Sequence, residues 1–343
     1  MIMSRSQYTM FIVALLGLLA VIMVISLGVG AVPLTPRQVI MALLPASVGA
    51  EDSTHRTIVW DLRLSRVLLA AMIGAGLATA GAAFQGLFRN PLADPYVVGA
   101  SGGAALGATL AIAVGLRITG VWLGAVPLAA FIGALVAVAI VYAIAQASGM
   151  SSAITLLLAG AALSTVLSSL VTLVMALSNR ALHEVFAWIL GGLSGRGWQH
   201  VHAIWLYLLG GSLILWLLSR PLDALACGED TAQTLGLPLS QTRTAVVGAA
   251  TITTAASVAA GGTIGFIGLI APHIARLIVG ANHVRTIPAS ALIGALLLIL
   301  ADDVARTILA PMEIPVGVMT SLLGGPFFLY LLRTRQRELG GWR

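Results

Sequence analysis

Apolar runs of about 20 residues recur along the whole chain, and this recurrence limits the fold more than any other feature. A hydrocarbon core about 30 Å thick takes about 20 helical residues to cross, and the backbone inside it must satisfy its own polar groups. Only 9% of the 343 residues are charged and 59% are hydrophobic. A soluble domain carries roughly 25% charged residues. The expected fold class is therefore an all-α polytopic membrane protein, one domain over 1–343 with about ten transmembrane helices. Gly and Pro inside the runs do not argue against helices, because neighbouring helices in lipid re-satisfy the freed groups.

The runs lie near 9–32, 67–88, 97–115, 121–147, 153–177, 201–219, 244–262, 265–281, 287–305 and 315–332. The first is longer than a signal-peptide core and has no small-residue cleavage site behind it, so it reads as a retained span. An even number of spans puts both termini on one side, and Arg333, Arg335, Arg337 and Arg343 mark that side as cytoplasmic. Arg37, Arg56, Arg63, Arg66, Arg117, Arg180, Arg196 and Arg306 then face outward, where positive charge is normally depleted. Either the orientation is reversed or the outward arginines have work that offsets the bias. The second reading is preferred.

All 18 basic residues are Arg; there is no Lys. A standard P-loop places Lys on the β- and γ-phosphates, so this sequence cannot supply one. The net charge of +6 reflects loop arginines and gives no reason to expect nucleic acid as a partner. Cys227 is the only cysteine, which excludes an intramolecular disulfide.

Several connections carry information. The stretch 33–66, with Pro33, Pro36 and Pro45, is expected as an extracytoplasmic loop. Within 178–200, the apolar run 185–190 is too short to span and suggests a re-entrant or interfacial helix. Asn90 to Pro95 reads as a cytoplasmic turn stiffened by Pro91 and Pro95. Gly99, Gly103 and Gly107 fall four apart, forming either a close-packing face or a thin wall beside a pathway. The largest cytoplasmic connection, 220–243, is helix-competent from Glu229 to Leu235 and stops at Gly236, with Pro238 behind. A short helix there is either an ordinary loop helix or a surface on which a motor docks.

The chain resembles the permease subunits of type II ATP-binding-cassette (ABC) importers for iron chelates and vitamin B12, the FecCD-type family. The resemblance runs from about Trp60 to Leu332. It is carried by Arg63-Leu64-Ser65-Arg66, by the stretch Gly81 to Pro95, and by Leu156-Leu157-Leu158-Ala159-Gly160. Further carriers are Ala187-Trp188-Ile189-Leu190-Gly191-Gly192, Gly228 to Pro238, Gly265 to His273, and Glu313-Ile314-Pro315-Val316-Gly317. Ser65 stands where the family usually has Pro, which leaves both arginines in place.

The resemblance implies a homodimer with its pathway on the two-fold axis, two cytoplasmic ATPase subunits and an extracytoplasmic binding protein. ATP and Mg²⁺ would belong to the ATPase, so this chain needs no cofactor and is not itself an enzyme. By the same resemblance Gly228, Glu229, Asp230, Ala232, Leu235, Gly236 and Pro238 form the ATPase-coupling segment. Arg63 and Arg66 match docking positions for the binding protein, and Arg306 is a third candidate; anchoring at lipid headgroups is the alternative. Ser151 and Ser152 fall at the inner gate, where Ala153 departs from the expected hydroxyl pattern. Arg180 and His183, with Glu184, either touch cargo or partner or lie in a wet interface. His273 is expected to satisfy a local hydrogen bond, and no metal-ligating cluster stands out. The expected cargo is an iron chelate, siderophore or haem, with cobalamin as the alternative. A secondary transporter coupled to protons or sodium is the rival class; proton coupling lacks an acidic residue deep in a span, since Asp302, Asp303 and Glu313 fall near the outer end, while a sodium site built from backbone carbonyls stays open.

Overall fold

The computed structural model describes residues 3–44, 53–117, 124–147, 153–178 and 182–339. All its regular elements are helices. In chain order these are α1 (Arg5–Gly28), α2 (Pro36–Leu43) and α3 (Ser53–Thr57), then a π-helical stretch (Ile58–Leu64) leading into α4 (Ser65–Leu87). Next come α5 (Ala100–Ala113), α6 (Ala125–Ala147), α7 (Ala153–Leu177), α8 (Leu182–Ile189) and α9 (Trp198–Leu217). The remainder are α10 (Ser219–Ala226), α11 (Glu229–Thr234), α12 (Leu239–Gly261), α13 (Ile267–Val279), α14 (His283–Ala305) and α15 (Val316–Leu339).

Each of the ten apolar runs coincides with a helix. Among the described residues, 7 helices are long and apolar enough to cross a membrane; α5, α13 and the apolar part of α15 are shorter. At 1.5 Å per residue α5 and α13 reach only about 20 Å, against a core about 30 Å thick. Non-helical backbone at 88–99 and 262–266 covers the rest. A Cβ on Gly268, at the start of α13, would meet Pro95 Cγ at 2.5 Å and the Leu77 carbonyl oxygen at 2.9 Å. Leu77 is midway along α4, so α13 begins at mid-height of the bundle.

The turn at Asn90–Pro95 is accordingly no surface turn. It folds back between helices and bonds to the second non-helical segment. The Tyr96 hydroxyl donates to the Ile264 carbonyl at 3.0 Å and accepts from the Ile264 N–H at 3.2 Å. The Asp94 carboxylate accepts the N–H groups of Tyr96 and Phe266. Phe266 adopts a left-handed φ of 67°, a cost that this dense bonding offsets. Irregular backbone at this depth is tolerated because protein groups, not lipid, surround it.

The stretch 33–66 also departs from the loop expected of it. Thr35 caps α2 through a reciprocal bond with Gln38, and Pro36 takes the first helical turn, where its missing N–H costs nothing. The segment from Thr54 to Leu87 is one continuous helix of 34 residues. Burial of Val59 and a Trp60 Nε1 bond to the Ala42 carbonyl at 2.9 Å hold its first turns against α2.

At the centre stands α4, with most of its surface covered by other helices. A Cβ on Gly74 would lie 2.3 Å from the Gly294 carbonyl oxygen, and one on Gly294 would lie 2.4 Å from the Gly74 carbonyl oxygen. Backbone thus rests on backbone between α4 and α14, the close approach that small residues permit in lipid. The Gly99-Gly103-Gly107 row resolves as packing too: Gly103 rests on Gly133 of α6, and Gly107 on Ala129. Neither side of the Gly74–Gly294 contact can yield by rotating a side chain. Gly74→Val is therefore expected to lower stability by about 3 kcal/mol or more. Gly210→Ala, which meets open space, should be neutral or stabilise by up to about 1 kcal/mol. Thermal unfolding in detergent reads both.

Candidate functional site

The short helix α11 is fixed on one side and bare on the other. Ala232 is fully buried, and Glu229 bonds to Arg243 at 2.5 Å with Arg89 at 3.9 Å. Asp230, Leu235, Gly236 and Pro238 are exposed, and Leu235 is 72% exposed. Gly228 enters the helix at φ 118°, and Gly236 leaves it at φ 78°. Leu237 N–H closes the end on the Ala232 carbonyl at 3.0 Å, a left-handed C-terminal cap that suits glycine. The segment is a rigid knob with an apolar tip.

At the C-terminal end of α14 and the N-terminal end of α4, away from α11, lies a group of arginines, and all three docking candidates are already bonded. Arg63 is 7% exposed; its Nη1 donates to the Leu27 carbonyl at 2.7 Å and its Nη2 to that of Val32. Arg306 is 4% exposed and bonds to the Ser26 carbonyl at 2.8 Å, the Ser26 hydroxyl at 2.6 Å and Asp303. Both therefore hold the end of α1. Arg66, 11% exposed, clasps Asp302 with Nε and Nη2 at 2.8 Å each, while Nη1 spans both Glu313 oxygens at 2.9 and 3.0 Å. The partners of Arg63 and Arg66 lie far away in sequence, which is why local reading misses them, whereas Asp303 is only three residues from Arg306.

A cavity of about 800 Å³ opens beside this group, lined by Arg66, Glu184, Trp188, Arg196, Glu313 and Pro315 among others. Arg196 donates to His200 Nε2 at 3.1 Å, and burial pushes the guanidinium pKa down. Among the described residues no carboxylate lies within ion-pair distance of Arg196. His183 is exposed on α8, the short helix expected near 185–190. Ser151, Ser152 and Arg180 lie outside the described residues. The His273 ring meets the Phe327 ring edge-on at 5.8 Å. Among the described residues, no three His, Cys, Asp or Glu side chains gather to hold a metal.

One feature of α7 was readable in the sequence but not singled out there. Ser164, Ser168 and Thr172, with Thr165 and Ser169 beside them, border a groove of about 550 Å³. Spacings of four put these hydroxyls on one helix face. Thr165, Ser169 and Thr172 donate back to the carbonyls four residues earlier, at 2.9–3.0 Å. The face is polar, and these three of its donors are spent.

A model of the FecCD transport family matches residues 18–334. The chain belongs to that family. A cobalamin import permease of Halobacterium salinarum is 42% identical over 301 residues, 88% of this chain and 80% of the relative. An Fe(3+)-citrate import permease of Bacillus subtilis is 38% identical over 327 residues, covering 95% and 96%. A solved structure described as an inward-facing conformation of a metal-chelate type ABC transporter superposes with a TM-score of 0.84 at 32% identity. It covers 95% of this chain and 99% of that one. This FecCD member thus has the all-helical type II importer permease architecture.

In this FecCD chain the ion cluster reads first as structural. Asp302 is 2% exposed, and removing Arg66 would leave its buried carboxylate with only the distant Arg306 Nε at 4.0 Å. Arg66→Ala is expected to cost about 3–5 kcal/mol. Adding Asp302→Ala should recover much of that loss, and a thermal-unfolding double-mutant cycle measures the recovery.

Proposed function

We propose that this chain is the membrane-spanning subunit of an ATP-driven importer, which works as a homodimer and passes an iron chelate from a binding protein into the cytoplasm. The observation that carries the proposal is α11: a knob bonded to the body on one face, with Leu235 bare on the other. Its exposed apolar tip suits a cleft in an ATPase subunit, and its rigid mounting suits the transfer of motion. ATP and Mg²⁺ would bind that second polypeptide, since this sequence has no Lys for a P-loop.

The α11 end is assigned to the cytoplasm together with both termini, in line with the arginines of the C-terminal tail. The host membrane is then a prokaryotic cytoplasmic membrane. The hydroxyl face of α7 supports a two-fold pathway. Hydroxyls facing lipid are unfavourable, whereas two α7 helices facing each other across water would form a wall with few free donors. Such a wall binds a bulky polar chelate weakly enough to release it. At the far end, Arg66 is the docking arginine that a carboxylate of the binding protein can reach, in exchange for Glu313. Arg63 and Arg306 act by holding the end of α1. A corrinoid is the second reading of the cargo, carried by the 42% identity to the cobalamin permease.

The test is reconstitution with the ATPase and binding-protein subunits in vesicles, using ferric citrate and cyanocobalamin as probes. Uptake should require ATP on the α11 face and binding protein on the other; uptake without either contradicts the proposal. Leu235→Asp should weaken ATPase co-purification by at least about tenfold, the loss of one buried apolar anchor, and leave the melting temperature unchanged.

A further inference from the structure

We infer that the contact between Asp223 and His283 is a transmission joint, making α14 a strut that carries movement of the α11 segment to the Arg66 end. The inference deepens the proposed function and rests on it. Asp223 sits on α10, whose Leu222 and Leu225 are buried and which leads within two residues into Gly228 and α11. Its Oδ1 accepts two bonds from His283, the first residue of α14: the backbone N–H at 2.9 Å and ring Nδ1–H at 2.6 Å. A carboxylate acceptor makes such bonds short and strong.

Helix capping accounts for the backbone bond, which takes up the His283 N–H at the start of α14, but not for the ring bond. α14 already has its own cap, the Asn282 side chain accepting from Val284 N–H at 2.9 Å. Asp223 comes from another helix, 60 residues earlier. The imidazole itself is buried, and among the described residues its Nε2 has no hydrogen-bond partner. That atom presses on α4: a Cβ on Gly86 would lie 2.4 Å from it. The ring is thus wedged between α10 and the end of α4. A parallel link joins the end of α9 to the same place, Trp216 Nε1 donating to the Val284 carbonyl at 3.2 Å.

From this joint α14 runs about 29 Å to Asp302 in its last turn. Midway it rests backbone-to-backbone on α4 at Gly294 and Gly74. At its far end Asp302 is clasped by Arg66 of α4. The two helices are therefore locked at both ends and in the middle, and packed units of this kind move as bodies instead of deforming. Any displacement of α10 with α11 is delivered through Asp223 and His283 to the α4–α14 pair. From there it reaches the cation that lines the far cavity. His283 is in this sense a positioning residue, with no contact to cargo or nucleotide.

The test uses the full complex, with wild-type, His283→Ala, Asp223→Ala, the double variant and Gly86→Ala chains each reconstituted with ATPase and binding protein. Basal ATP hydrolysis, its stimulation by binding protein, and ferric citrate or cyanocobalamin moved per ATP are measured. His283→Ala and Gly86→Ala should keep basal hydrolysis and complex assembly. Both should lose at least about fivefold in stimulation and in cargo per ATP, the scale of a coupling free energy. The double variant should lose no more than Asp223→Ala alone, because the Asp223 carboxylate carries both bonds, to the His283 ring and to the His283 backbone N–H. Wild-type stimulation and cargo per ATP in assembled variants, whatever their melting temperatures, would overturn the inference. If His283→Ala fails to assemble, Gly86→Ala decides, since it only displaces the ring. Absence of ATP-dependent uptake by the wild-type complex would instead overturn the proposed function.

Discussion

The contact on which the structure depends is bare backbone against bare backbone on α4. Between apolar helices in lipid there is little hydrophobic drive to associate, so close packing must supply the attraction. Glycine lets α4 meet α14 at Gly74 and Gly294, and α13 at Gly81 and Gly268, where a Cβ on Gly81 would lie 1.8 Å from the Gly268 carbonyl. Everything else is arranged around that core. α9 and α12 pack on another side of α4, and α1 is tied on through Arg63 and Arg306. A chain with 9% charged residues places a group of them at the end of α4 and α14, where each cation meets a carboxylate or a carbonyl. This arrangement joins the two helices without placing an unpaired charge in the hydrocarbon region.

Close packing of α4 also makes room for irregular backbone. α5 and α13 are too short to cross, and the segments leading into them interlock through Asp94, Tyr96, Ile264 and Phe266. Backbone without helix at this depth needs protein around it on all sides. The bundle thereby acquires a rigid half around α4 and a looser flank, where α7 is mostly exposed and carries its row of hydroxyls. A transporter benefits from that division. The rigid half can transmit force, and the flank can face a second copy and a passing cargo.

The helices were largely legible in the sequence because lipid imposes one rule, length of apolar run, on every span. The two short surface helices were legible for another reason. The apolar run 185–190 is too short to cross, and Glu229–Thr234 is framed by Gly228 and Gly236. The stretch 53–64 was misread because its prolines end at Pro45 and its polar start hides a helix that continues into α4. The arginines were located but their state was not, since Arg66 and Asp302 lie 236 residues apart and no local pattern pairs them. The α7 hydroxyls illustrate a third kind of miss. Their spacing was visible, but within an apolar run of 25 residues it read as background.

The central claim is that α4 and α14 behave as one body joining the α11 end to the Arg66 end. Spin labels at Leu62, exposed in the π-helical stretch that leads into α4, and Val284, exposed at the start of α14, test it directly by pulsed dipolar distance measurement. The account predicts one distance distribution, unchanged between nucleotide-free, ATP-bound and carrier-bound complexes, while distances from either label to the second copy of the chain change. A Leu62–Val284 distance that shifts with nucleotide would contradict it, because the strut would then be bending instead of carrying the load.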